Sequence, residues 1–169
     1  MTRFVLMLLF AAWPSSAVLA QDAPPKCDLP EHRQFDFWVG DWSVTGKNGN
    51  HAGDNTITSI HDGCALREEW RGTSGYHGSS LNFYDRGTGR WHQTWIATDG
   101  QPLWISGGID EEGRMVMASE ERDGRIDRIA WTPNADGSVR QLWERSGDGG
   151  ATWAVLFDGT YVRRDAPAP

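Results

Sequence analysis

The stretch CALREEWRGTSGYHGSSLNFYDRGTGRWHQTWIA, residues 64–97, decides the fold. It holds three runs of strand length, Cys64–Arg71, Gly78–Asp85 and Arg90–Ala97, joined by glycine-bearing segments. Glycine reaches the positive φ that tight reversals require, so each joint reads as a hairpin and the runs as consecutive antiparallel strands. Side chains two apart on a strand share a face. On that basis Glu68-x-Trp70, Asn82-x-Tyr84 and Gln93-x-Trp95 each place a polar group beside a ring, and Gln141-x-Trp143 repeats the pattern further on.

Turn signals continue in both directions. Asp-Gly pairs stand at Asp62-Gly63, Asp99-Gly100, Asp123-Gly124, Asp136-Gly137 and Asp148-Gly149, with Glu112-Gly113 beside them. The intervening runs predict further strands at Phe37–Val44, Asn55–His61, Leu103–Gly108, Arg114–Glu120, Arg125–Thr132, Val139–Glu144 and Thr152–Arg163. Asp158-Gly159 falls inside the last of these, where glycine marks a bulge or a close backbone approach. Beyond the N-terminal apolar segment, helix is expected only as one turn at Pro30–Gln34. A meander of this length must close on itself or expose its edges. An all-β, antiparallel up-and-down β-barrel of about eight to ten strands is the first expectation. A two-sheet sandwich or a propeller-like unit is the alternative.

Composition narrows the function classes. The chain has 169 residues, 38% of them hydrophobic, with 20 glycines and 10 tryptophans. That apolar content excludes general disorder and fibrous rods. Its formal charge is −7 with no basic block, which argues against nucleic acid as a partner, since that affinity comes mainly from neutralising phosphates.

The N-terminus reads as an address. Arg3 precedes the apolar run Phe4–Trp13, too short to span a bilayer, and Ala17-Val18-Leu19-Ala20 supplies small residues for cleavage after Ala20. Residues 1–20 are therefore expected to be an export signal, 21–34 an N-terminal arm, 35–164 the barrel and 165–169 a disordered tail. The destination is the periplasm or the exterior, with no membrane span in the mature chain. In an oxidising compartment Cys27 and Cys64 are expected to form a disulfide, pinning the arm to the strand that begins at Cys64.

Gly40-Asp41-Trp42 resembles the Gly-x-Trp entry of lipocalins and other calycins. The resemblance implies that Trp42 packs across the barrel end beneath a terminal arginine, Arg163 or Arg164. More widely, Phe35-Asp36-Phe37-Trp38-Val39-Gly40-Asp41-Trp42, Gly63-Cys64 through Glu69-Trp70, Ser80-Leu81-Asn82-Phe83-Tyr84-Asp85 and Trp91-His92-Gln93-Thr94-Trp95 resemble a family of secreted bacterial proteins of unknown function. That likeness covers nearly all of the mature chain. It implies a calycin-like fold and brings no catalytic residues with it.

The candidate site follows from the repeated polar–aromatic pairs. If that face is inward, Glu68, Asn82, Gln93 and Gln141 orient a ligand while Trp70, Tyr84, Trp95 and Trp143 supply ring contacts. The alternative is a filled core in which buried amides satisfy one another. Glu68 and Glu69 are adjacent and point to opposite faces, so they do not form an acid–base pair. Glu68 alone is the weak catalytic candidate, through a raised pKa; its plainer role is an ion pair with an arginine such as Arg67 or Arg145. His32, His51, His61, His77 and His92 lack metal-ligand spacing, and no phosphate loop, nucleophile elbow or dinucleotide fingerprint is present. No metal or cofactor is expected. Ser146-Gly147-Asp148-Gly149-Gly150-Ala151-Thr152-Trp153 matches the Asp-box of sialidase propellers, here once, and reads as a self-bonded hairpin. The expectation is an exported binding protein for a small, partly apolar molecule. An enzyme using Glu68, or an interaction module with a filled core, are the alternatives.

Overall fold

The computed structural model describes residues 27–164. The expected export signal, residues 21–26 of the arm and the tail 165–169 lie outside them. Ten strands run in chain order: β1 Gly40–Gly46, β2 His51–Ile60, β3 Ala65–Gly72, β4 His77–Asp85, β5 Arg90–Ala97, β6 Leu103–Ile109, β7 Met115–Ala118, β8 Ile126–Pro133, β9 Val139–Ser146 and β10 Ala154–Arg163. Each pairs antiparallel with its chain neighbour, and β1 pairs with β10 to close the barrel, Trp42 opposite Arg163 and Val44 opposite Tyr161. Closure leaves no open edge of the sheet. Among the described residues no helix is long and apolar enough to cross a membrane.

Alternation explains the register. On β2, Gly53, Asn55 and Ile57 are buried, while Thr56 on the other face bonds Asp41 outside. On β8, Asp127, Ile129 and Trp131 are buried between outward Arg128 and Thr132. A one-residue slip would turn a tryptophan to water, so the pattern holds each strand in place. At the tightest turn, Asp123 and Gly124 take φ of 53° and 78°, the geometry of a two-residue hairpin. Arg122 and Arg125 exchange backbone bonds on either side of it.

Several strand boundaries differ from expectation. β2, expected at Asn55–His61, runs His51–Ile60, because its first residues pair with the end of β1 and with Arg71–Gly72 of β3. Residues 36–38 form a 3₁₀ turn, Asp36–Trp38, so β1 starts at Gly40 rather than Phe37. The cause is packing: the turn carries Phe35 and Trp38 into the barrel end, where both are fully buried. β7 is only Met115–Ala118 because its continuation, Ser119 onward, keeps bonding β8 and leaves β6. β10 starts at Ala154 because the Asp-box residues before it form a turn. The expected helical turn is a 3₁₀ segment, Pro30–Arg33.

Cys27 and Cys64 are bonded, with Cα atoms 5.0 Å apart. Cys64 lies one residue before β3, after the 3₁₀ turn His61–Gly63, so the bond anchors the entering chain at the closed end of the barrel.

Candidate functional site

The barrel interior is stacked in three layers. The first is an aromatic plug. Phe35 stacks on Trp38 at 4.8 Å and meets Trp131 and Trp91 edge-on at 5.2 and 5.6 Å. Trp42 donates its indole N–H to the Trp38 carbonyl at 2.8 Å, and the Arg163 guanidinium lies over its ring at 4.4 Å. Arginine over tryptophan is a cation–π contact that also covers the end of the sheet. Gly40, with φ of +149°, sits where any Cβ would run into that guanidinium.

Above the plug lies a polar layer. Asn55 Nδ2 donates to Glu68 Oε1 at 2.8 Å and Ser80 Oγ donates to Glu68 Oε2 at 2.6 Å. Asn82 Nδ2 donates to Ser80 Oγ at 2.8 Å and to the Leu66 carbonyl at 3.3 Å, and Gln93 Nε2 donates to Asn82 Oδ1 at 2.8 Å. On the opposite wall Tyr161 donates its hydroxyl proton to Gln141 Oε1. Every bond in the chain from Gln93 to Glu68 points toward the carboxylate. The backbone carbonyl of Leu66 can only accept, which orients Asn82 and, through it, Gln93. Gln93 Oε1 and Gln141 Nε2 are then the unused ends of their amides among the described residues.

Glu68 is buried, and among the described residues it has no cationic partner. Arg67 pairs with Glu69 on the outer face and Arg145 with Asp127, so the ion pair considered for Glu68 is not formed. The reason is the pleat, which sends Arg67 outward, and the buried Asp127, which claims Arg145 nearer the rim. Burial pushes the Glu68 carboxyl up to about 7, against the smaller opposing effect of the Ser80 and Asn55 bonds. Burial, reinforced by the Glu68 charge, holds the Tyr161 hydroxyl well above its usual range, so it stays a donor.

The third layer is an open mouth. A cavity of about 350 Å³ reaches from Glu68, Gln93, Gln141 and Tyr161 up to Trp70, Trp95, Trp143 and Phe157. The rings lie against backbone lacking side chains: an added Cβ at Gly78 would enter the Trp95 ring, and one at Gly159 would fall 2.5 Å from Phe157. Gly159 thus marks a close approach, as expected, while the β10 register shift lies at Val155–Phe157. Trp143 is held by its N–H on Asp127 Oδ1 at 2.7 Å, and Arg145 binds the same oxygen. A wider cleft of about 910 Å³, where β7 leaves β6, opens from this mouth and shares Tyr76, Trp95, Leu103 and Trp143 with the cavity.

Of the eight residues read from the sequence, six line the cavity: Glu68, Trp70, Gln93, Trp95, Gln141 and Trp143. Asn82 lies behind Gln93 in the network. Tyr84 is at the other end, edge-on to His32 at 5.4 Å, and does not line the cavity. β4 runs opposite to β3, β5 and β9, so the same polar-x-aromatic spacing carries its ring to the plug instead of the mouth. Sequence reasoning missed Asn55, Ser80, Phe157 and Tyr161. Ser80-x-Asn82 extends the inward pattern by one step and was a usable signal; Asn55 needed the β2–β3 register and Tyr161 the closure of β10 onto β1.

The Asp-box closes on itself: Ser146 Oγ accepts from the Gly150 amide at 2.8 Å and Asp148 Oδ1 from the Thr152 amide at 2.8 Å. Trp153 beneath it carries Arg128 at 4.0 Å. It is a turn device, and none of its residues lines the cavity. Among the described residues no group of three or more His, Cys, Asp or Glu is placed to hold a metal ion. No protein-family model and no curated protein matches the chain.

Proposed function

We propose that this is an exported protein that binds a small, partly apolar molecule inside the barrel. The observation that carries the reading is the cavity of about 350 Å³ with an aromatic mouth and a hydrogen-bonding floor. Its size is at the lower end of small-molecule sites, and its mix of rings and a few oriented polar groups suits a ligand with an apolar body and one polar end. The Cys27–Cys64 bond and the apolar N-terminal run support export.

Tryptophan fluorescence tests it, because Trp70, Trp95 and Trp143 surround the cavity. Titration with a panel of aromatics and short-chain lipids should quench or shift the emission for at least one class and raise the melting temperature with it. Trp95→Ala should weaken the responding ligand about tenfold or more while the protein stays folded. If no member of the panel changes either signal, the binding role is lost.

A catalytic reading rests on Glu68, whose carboxyl at about 7 is poised to exchange a proton near neutral pH. Glu68→Gln separates the two: an enzyme loses turnover and keeps binding, whereas a carrier has no turnover to lose.

A further inference from the structure

We infer that the polar end of the ligand is a protonated primary amine, seated on Glu68 at the cavity floor with its apolar body among the mouth rings. This deepens the binding role proposed above and rests on it.

Among the described residues Glu68 is the only carboxylate lining the cavity, and no arginine or lysine lines it. Its two oxygens accept from Asn55 and Ser80, both neutral, so among the described residues the charged form is bonded but not neutralised. Removing a carboxylate from water costs several kcal/mol unless an opposite charge joins it, on the order estimated for buried ions. An incoming ammonium supplies that charge. One further acceptor belongs to the same floor: Gln93 Oε1, the unused end of an amide whose orientation Leu66 dictates through Asn82. An ammonium carries three donors and no acceptor, which matches a floor richer in acceptors than donors; Gln141 Nε2 is the opposing free donor. Trp70, Trp95, Trp143 and Phe157 add ring faces that attract a cation and cover an apolar body. The chain's formal charge of −7 also favours approach of cations over anions. One carboxylate with amides is a poor inorganic-cation site, since calcium takes six to eight oxygens, roughly.

The groups packed around Glu68 are few. β2 contributes Asn55 and Ile57, β4 Ser80 and Asn82, β5 Gln93, β9 Gln141 and β10 Tyr161, and of these only Tyr161 titrates, far above neutrality. The ammonium binds the ionised carboxylate, so affinity should be steady above the Glu68 pKa and fall about tenfold for each pH unit below it.

Calorimetric titration of the disulfide-bonded protein with phenethylamine, phenethyl alcohol and hydrocinnamate, three probes with one ring and different heads, tests this. At pH 8 the amine should bind about tenfold or more tighter than the alcohol, and hydrocinnamate weakest. From pH 8 to pH 5 amine affinity should drop by about two orders of magnitude while alcohol affinity changes little. At pH 7 amine binding should release protons, seen as a dependence of the heat on buffer ionisation enthalpy. Glu68→Gln should bring amine affinity down to that of the alcohol. The proposal is overturned if the alcohol binds the wild-type protein as tightly as the amine, if hydrocinnamate binds tightest, or if Glu68→Gln keeps the amine preference. The wild-type comparisons need no variant to fold. Binding of the alcohol without any gain for the amine sinks this inference and leaves the cavity role standing. Failure of all three probes and of the broader ligand panel sinks both.

Discussion

Glu68 concentrates the chemistry of the interior in one side chain. Its carboxyl rises from 4.5 to about 7 because burial penalises the charge more than Ser80 and Asn55 reward it. The folded protein therefore holds this proton more tightly than the unfolded chain does. That contribution is present in full below about pH 4.5 and is lost as pH rises through 7. The shift corresponds to stability on the order of 3 kcal/mol across that window. Urea unfolding of the ligand-free protein should show this loss from pH 5 to pH 8, and Glu68→Gln should remove most of the slope. An unchanged slope would place the titrating group elsewhere. Asp148 shows the opposite sign. The Thr152 amide and hydroxyl and the Ser146 hydroxyl hold its carboxyl down to about 2, so its bonds stabilise the turn above its ordinary pKa and are lost in strong acid. Asp148→Ala should speed hydrogen exchange at the Gly150 and Thr152 amides without altering the cavity, measurable by exchange mass spectrometry.

Pairs and turns tie these residues into strands. Gly40, Trp42 and Arg163 form a unit at the β1–β10 seam: the ring needs the guanidinium, and the guanidinium needs a residue without Cβ beside it. Arg163→Ala should cost about 1–2 kcal/mol through the lost cation–π contact and exposed ring face. Gly40→Ala should cost at least as much, about 1–3 kcal/mol, because positive φ and the displaced arginine add. Thermal unfolding checks both, and a near-neutral Gly40→Ala would contradict the seam geometry. At the entry to β3, the Cys27–Cys64 bond spans 37 residues and limits the unfolded chain. Replacing both cysteines with serine should remove about 2–4 kcal/mol. The loss should appear in the unfolding midpoint and not in the β content of the folded protein, which circular dichroism would report.

At the scale of the whole molecule, the barrel is a cup. One end is plugged by Phe35, Trp38 and Trp131; the other opens where Trp70, Trp95 and Trp143 ring a cavity. Its closure joins residues 42 and 163, almost the full described length, so the seam is built from the contacts most distant in sequence. Folding should accordingly take milliseconds to seconds, roughly the range of all-β domains dominated by non-local pairs. Stopped-flow fluorescence of the wild-type protein and of a Trp95→Phe variant should report one shared phase, since plug and mouth belong to the same sheet. A faster, separate phase for the plug would show that the aromatic end folds before the seam closes.

The strand count, the hairpin connectivity and the inward face were legible in the sequence because they depend on neighbours within about ten residues: a turn glycine, a period of two, a Trp where the core must be. Glu68, Gln93 and Gln141 could be assigned to the interior on that basis alone. Which end of the barrel each ring occupies was not local. It depends on strand direction, so Trp70 and Trp95 reached the mouth while Tyr84, at the same spacing, went to the plug. Nor could the partners of Glu68 be read along the chain, since Asn55 and Ser80 lie on its two flanking strands and Tyr161 on β10, brought to the same floor only when β10 closes on β1. Local pattern determined which side chains face inward; only the closed sheet decided which of them meet, because register and direction are properties of paired strands.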